Sequence, residues 1–380
     1  MNNKRFLWVM ISFFMAALLI SCGSDDSSHH SKYLTGVKKI TAGWSHSLAL
    51  KNDGTIRSWG YNGSGQLGDG TMYNQNKPVK FKGLNKIKEI AAGWSHTVAL
   101  KSDGTVWTIG NNSEGQLGDG TTEQKSAPVK VTGLTDVKSI SAGWVHTIAL
   151  RNDGTVWTWG NNISGQLGNW TNTDSYTPVQ VLSGVQAISA GWEHTVALKD
   201  DGTVWTWGDN TSGQLGRTTT DTLIPVQVAG LTGVIAIAAG PNHTVALKAD
   251  GTVWSWGSNN AGELGNGTTE NSYTPVQVIG LTDVKAISAG LYRTVALKNN
   301  GTVWNWGYNG AGNLGNGTTD NSSTPVEVEG LIEVIAISSG ESHTLALTED
   351  GKVWSWGYNT AGQLGDGTTE HRHLPVQVLR

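Results

Sequence analysis

The chain has 380 residues and a formal charge of −4, with 51 glycines, 18 tryptophans, four methionines and only 15% charged residues. Such a composition excludes a helical bundle and favours strands and turns. No basic run is present to neutralise phosphates, which excludes a nucleic-acid binder.

Lys4 and Arg5 precede an apolar run from Phe6 to Ile20. The run has the length of a signal-peptide core and is too short and wrongly flanked for a membrane span. It ends in Leu19-Ile20-Ser21-Cys22, which resembles the bacterial lipobox. Residues 1–21 are therefore expected to leave as a lipoprotein signal, making the charge more negative as Lys4 and Arg5 go with it. Cys22 is the expected lipidation site, and as the sole cysteine it leaves no internal disulfide. Residues 22–32 are short, polar and patternless, as a flexible tether should be. Asp25 and Asp26, just after Cys22, resemble the acidic signal that sends some lipoproteins outward. The expected address is the cell envelope, at the outer membrane, with exposure at the cell surface as the second option and the lipid as the membrane contact.

From residue 33 to 380 one phrase repeats. The glycines of an Ala-Gly-x-x-His motif fall at 43, 93, 143, 191, 240, 290 and 340, with spacings of 50, 50, 48, 49, 50 and 50. Each copy carries four strand-like runs, A to D, shown in the third by Val137 to Ala142, His146 to Leu150, Thr155 to Trp159 and Pro178 to Val181. Asp-Gly or Asn-Gly pairs between B and C, such as Asp53-Gly54 and Asn300-Gly301, supply the positive φ of a tight hairpin. Four antiparallel strands repeated seven times, in units too small to bury their own faces, predict an all-β fold, a seven-bladed β-propeller. Strand A ends in small residues and is expected at the axis. Strand C carries indoles at i and i+2, as in Trp157 and Trp159, on one face. Arg57 and Ile109 are the two departures. The short D-to-A link reads as a hairpin within a blade, which would pair Pro375 to Val378 with the first A strand and clasp the ring.

The A–B and C–D loops share one face, and there the copies differ. After the axial glycine come Trp44, Trp94, Trp144 and Trp192, the last followed by Glu193; then Pro241-Asn242, Leu291-Tyr292-Arg293 and Glu341. Two arrangements of the four indoles stay open: an exposed aromatic arc, or rings tucked under the C–D loops to close the top. Exposed aromatic patches mark binding surfaces. Trp44, Trp94, Trp144, Trp192, Glu193, Asn242, Tyr292, Arg293 and Glu341, with Trp170 on the C–D rim, are thus the candidate partner-binding residues.

Six turns continue into histidine: His46, His96, His146, His194, His243 and His343. One imidazole per blade reads as scaffolding, bonding a neighbouring backbone group. His371 and His373 supply only two ligands and do not define a metal site. The Gly-Asp-Gly loops at residues 68–70, 118–120 and 365–367 lack the alternating carboxylates of a calcium loop and read as turns. No metal or cofactor is expected.

Together, G-x-V-W-x-W-G, N-x-x-G-Q-L-G, the Pro-Val strand and A-G-x-x-H-T-x-A-L resemble the regulator of chromosome condensation repeat family, from about Tyr33 to Arg380. That resemblance implies a seven-bladed propeller. Its founding eukaryotic members exchange guanine nucleotide on a small GTPase, but an exported, acidic chain with no wedge-like insertion does not meet that role, and fold does not carry function with it. A secreted bacterial member inhibits β-lactamases through a loop-lined face.

The expected function is a non-enzymatic binding scaffold, a monomer that recognises a protein or glycan partner through one propeller face. Alternatives are an inhibitor of an extracellular enzyme, or a polysaccharide lyase or hydrolase at the mouth. Hydrolysis requires two carboxyl groups at a set separation, and Glu193 and Glu341 sit three repeats apart.

Overall fold

The computed structural model describes residues 31–219 and 222–380, so the apolar leader, Cys22 and nearly all of the tether lie outside the described residues. Seven four-stranded antiparallel sheets follow one another, each running A-B-C-D in chain order. The third blade is Val137–Ala142, His146–Arg151, Val156–Gly160 and Ser175–Leu182. Each A strand packs against the A strands of both neighbouring blades, and the first meets the last, so the circle closes with A innermost. Strand D is the half-exposed outer edge, and Pro78, Pro128, Pro178, Pro225, Pro275, Pro325 and Pro375 all lie on D segments. A proline there forfeits no needed ladder bond and blunts the edge against pairing with another chain.

The expected clasp by the last D strand does not occur. Arg372–Gln377 pairs with Val353–Gly357 of its own blade, and Val37–Ala42 pairs with His46–Lys51. The D-to-A link is a crossing between blades and not a hairpin. Leu134, Leu231, Leu281 and Leu331 of this link are buried between blades. The residue before each A strand then turns the chain with positive φ: Gly36, Lys86, Asp136, Gly184, Gly233, Asp283 and Glu333. Closure instead copies this link across the two ends of the ring. Leu34, 1% exposed, takes the leucine position, packing with Val378, Trp59 and Leu347. Its N–H donates to the Val378 carbonyl at 3.1 Å, Tyr33 bridges Leu379, and Arg380 N–H reaches the Lys32 carbonyl at 2.9 Å.

The core lies between blades. At the seam of blades two and three, Val98, Leu100, Val106, Val131 and Leu134 meet Val137, Ile140, Ala149 and Trp159. In the five C strands that carry two indoles, the pair shares a face, as expected. The inner ones, Trp59, Trp159, Trp207, Trp256, Trp306 and Trp356, are fully buried, while outer ones such as Trp157 are half-buried against the same clusters. A buried indole removes on the order of 150–250 Å² from water, so this layer is the principal packing term. Ile109 fills the inner position in blade two at 1% exposure.

A polar relay stitches each seam beside that packing. Thr147 Oγ1 donates to the Gln116 carbonyl of the preceding blade at 2.8 Å, and Trp159 Nε1 donates to the same oxygen at 2.9 Å. His96 Nε2 lies 3.0 Å from Thr147 Oγ1. Because the threonine proton is already committed, Nε2–H is the donor, and burial keeps the ring neutral. The expectation that these histidines bond backbone holds only in part: His146 and His194 interact with the Trp192 and Pro241 backbone, while the partner common to all six is a hydroxyl one blade away. Burial drives His46, His96, His146, His243 and His343 down to about 3 and His194 to about 4.

Candidate functional site

Each A–B connection is a four-residue turn, closed for example by Gly143 N–H to the His146 carbonyl at 2.9 Å. The glycine is required by proximity. A Cβ at Gly43 would stand 2.6 Å from the Gly93 carbonyl oxygen and 2.7 Å from the His46 ring. Neighbouring turns are joined by Trp44 N–H to Gly93 O at 3.2 Å, Leu291 N–H to Glu341 O at 3.0 Å and Glu341 N–H to Gly43 O at 3.2 Å. This belt fixes the backbone around the axis and leaves the next side chain free to line the mouth.

The mouth is an axial cavity of about 100 Å³. Round it stand Trp44, Trp94, Trp144, Trp192, Pro241, Leu291 and Glu341, above the small residues that end the A strands. The four indoles form a contiguous row, with centroids 5.5, 5.5 and 5.3 Å apart. All four are half-buried: each ring shields its neighbour, and together they rim the cavity. Tyr61, from the first C–D loop, meets Trp44 edge-on at 6.1 Å. Both open arrangements thus hold in part, because the rings are neither free nor covered.

The remaining candidates separate. Glu193 is half-buried and accepts from Ser164 Oγ at 2.7 Å, and it does not line the cavity. Asn242 and Tyr292 are half-buried, and their carbonyls accept Ser258 and Tyr308 N–H groups at 2.8 Å each. Tyr292 adopts φ of 51°. Trp170 is 76% exposed on its C–D loop with φ of 70°, away from the mouth.

Arg293 requires correction: it is 0% exposed and lies beneath the face instead of on it. It occupies the place of the missing seventh histidine. Its guanidinium overshoots the threonine hydroxyl and donates to the carbonyls of Glu341 at 2.6 Å, Gly340 at 3.0 Å and His343. Thr344 Oγ1, the hydroxyl a histidine would have met, is buried without a partner. Burial lowers Arg293 to about 9, with Glu341 opposing. Burial also pushes Glu341 up to about 8, with Arg293 opposing.

Sequence reasoning missed Ser339. Six blades place alanine before the axial glycine, at 42, 92, 142, 190, 239 and 289, and the seventh places this serine. Its departure from an otherwise constant position was the available signal. The C–D rim holds two larger cavities of about 420 and 440 Å³, the second lined by Glu114, Asp174 and Tyr176. Burial is the main cause raising Asp174 above its ordinary range, and the neighbouring Glu114 adds to it.

The loop motifs are structural. Asn162 Nδ2 donates to the Thr171 and Thr173 carbonyls at 2.9 and 3.0 Å, while its Oδ1 accepts the Leu167 N–H. Asp69 Oδ1 accepts from Thr71 N–H at 2.8 Å and from Asn62 Nδ2 at 3.1 Å, as a turn residue does. His371 Nδ1 accepts the Asn359 N–H at 3.1 Å, the bond that Asn74, Asp174, Asn271 and Asn321 make in other blades.

A closed ring of seven A-to-D blades, with its irregular turns gathered at one axial mouth, defines a propeller of the chromosome-condensation-regulator type. The chain belongs to the RCC1-like domain family: residues 136–380 match that domain, and residues 53–100 and 103–150 match the regulator of chromosome condensation (RCC1) repeat. Among curated relatives, it is 43% identical over 53 residues to the mitochondrial RCC1 domain-containing protein RUG3 of Arabidopsis thaliana. It is 39% identical over 46 residues to the Ultraviolet-B receptor UVR8 of the same plant. These matches cover 13% and 12% of this chain and only 12% and 10% of the relatives' own lengths. Among solved structures, human WBSCR16 superposes with a TM-score of 0.79 at 26% identity, covering 86% of this chain and 94% of that one. Yeast RCC1 (Prp20), solved bound to Kap60, gives 0.78 at 23% identity over 94% and 91%.

Proposed function

We propose that this chain is a non-catalytic binding propeller of the cell envelope, held to the outer membrane through a lipid on Cys22, working as a monomer and recognising a protein partner with its A–B face. The observation that carries this reading is the row of four half-buried indoles round the axial cavity. Large, rigid, partly dry rings contribute much contact area at low entropic cost, which is why aromatic anchors dominate protein interfaces. One structural neighbour of this fold, Prp20 of Saccharomyces cerevisiae, is a protein with binding properties to Gsp1p and histones.

An enzyme at the mouth has less support, since among the described residues Glu341 is the one carboxyl lining the cavity, and glycoside hydrolysis ordinarily uses a pair. Capture from envelope extract, with the intact protein beside a variant carrying alanine at Trp44, Trp94, Trp144 and Trp192, tests the reading. The intact protein should retain a partner that the variant loses. Equal capture by both overturns the proposal.

A further inference from the structure

Seven side chains stand round the mouth, and six of them are apolar: four indoles, Pro241 and Leu291. The seventh is Glu341. Directly before the glycine of the same blade lies Ser339, where every other blade has alanine. Both residues line the axial cavity, and both Glu341 Oε2 and Ser339 Oγ are buried without a hydrogen-bond partner. A buried acceptor left unpaired costs about 1–3 kcal/mol, and more when it carries charge. Two such unpaired groups, in the one blade that breaks the pattern at both positions, make that blade the polar corner of an otherwise apolar collar.

Arg293 does not satisfy that corner. Its guanidinium is directed at three backbone carbonyls, and Oε2 of Glu341 receives none of its N–H groups. Trp44 is the next side chain round the ring, because Glu341 N–H bonds the Gly43 carbonyl. A ligand that fits must offer several donors and no acceptor at its tip, with a hydrocarbon stem behind it. An ammonium has three N–H donors and no acceptor, and indoles attract cations.

We propose that the axial mouth receives a primary alkylammonium, the end of a lysine side chain on the protein partner, with its N–H groups shared between Glu341 and Ser339 and its methylenes lying along Trp44 and Trp94. This rests on the reading of the A–B face as the partner surface. Burial raises Glu341 to about 8 against the opposing charge of Arg293, and a bound ammonium, as a second positive charge beside it, would draw it back toward the carboxylate form.

Calorimetric titration of the intact protein with pentylamine and with its neutral isostere pentanol tests the proposal without any variant. Pentylamine should bind saturably, one per chain, and pentanol at least about tenfold more weakly, as loss of one partner of a desolvated charge pair costs. A short acetylated, amidated peptide with one central lysine should bind at least as tightly as pentylamine, and its norleucine counterpart should not; tight amine binding without peptide binding would exclude a lysine as the source. Glu341→Gln should erase the preference for amine over alcohol. Equal binding of the two isosteres, no saturable binding of either, or an undiminished preference in Glu341→Gln overturns it. Absent amine binding beside tryptophan-dependent capture would sink this inference alone; amine binding beside tryptophan-independent capture would sink the partner-face reading on which it rests.

Discussion

The seam between blades two and three and the seam between blades six and seven bury the same indole in the same way and differ in one polar relay. In the first, His96, Thr147 and the Gln116 carbonyl form a continuous chain of hydrogen bonds. In the second, Arg293 replaces the imidazole, Asn313 replaces the glutamine, and Thr344 Oγ1 is stranded. Trp356 still donates to the Asn313 carbonyl at 3.1 Å. Packing is therefore alike at these two seams, while hydrogen bonding is relaxed at the second, the one that carries Glu341 and Ser339 into the mouth. Repeat proteins tolerate such a lapse because each interface contributes nearly independently.

The largest effect that separates the two seam types is acid. Six imidazoles are held near 3 to 4 in the fold and return to about 6.5 when it opens. Between those values the unfolded chain binds more protons, so the stability present above pH 6.5 is lost as pH falls. Glu341, raised to about 8, works in the opposite sense and gives up a proton on unfolding near pH 5 to 6. Unfolding at pH 5 should take up about five protons, six imidazoles less the glutamate, by the linkage of pH to stability. Denaturant midpoints measured across pH 5–7 check this, and an uptake of one proton or fewer would contradict burial of the neutral rings.

Next in size is the indole itself. Trp159→Ala and Trp356→Ala should each cost about 3–5 kcal/mol in urea unfolding, and by similar amounts, since both side chains are fully buried. A large difference between them would show that the odd seam is also packed differently. Smallest is the hydroxyl pair. Thr147→Val should cost about 1–3 kcal/mol by leaving His96 Nε2–H unpaired, whereas Thr344→Val should cost nothing measurable or stabilise slightly. Equal losses at the two sites would remove the distinction between the seams.

Much of this fold was legible in the sequence because its determinants are local and recur seven times. Alanine and glycine at the strand A ends, paired indoles on strand C and Asp-Gly turns each state their geometry in a few residues. The ring closure was misread because an aspartate or lysine at positive φ, as at Asp136 and Lys86, looks like an ordinary turn residue until the buried leucine before it is seen. The histidine partners lie about one repeat away and could not be read from neighbours in the chain. Arg293 was placed on the surface because arginine is almost never fully buried unless paired. The aromatic row was foreseen as a set of residues, but its half-buried state depends on ring-to-ring distances that spacing does not encode.

Hydrogen-exchange mass spectrometry on the intact protein, with and without its captured envelope partner, tests most directly that the axial mouth is the recognition face. Protection should concentrate at the turns around residues 43–46, 93–96, 143–146, 191–194 and 339–343. Protection confined to the B–C hairpins of the opposite face, or to the outer D strands, would contradict it.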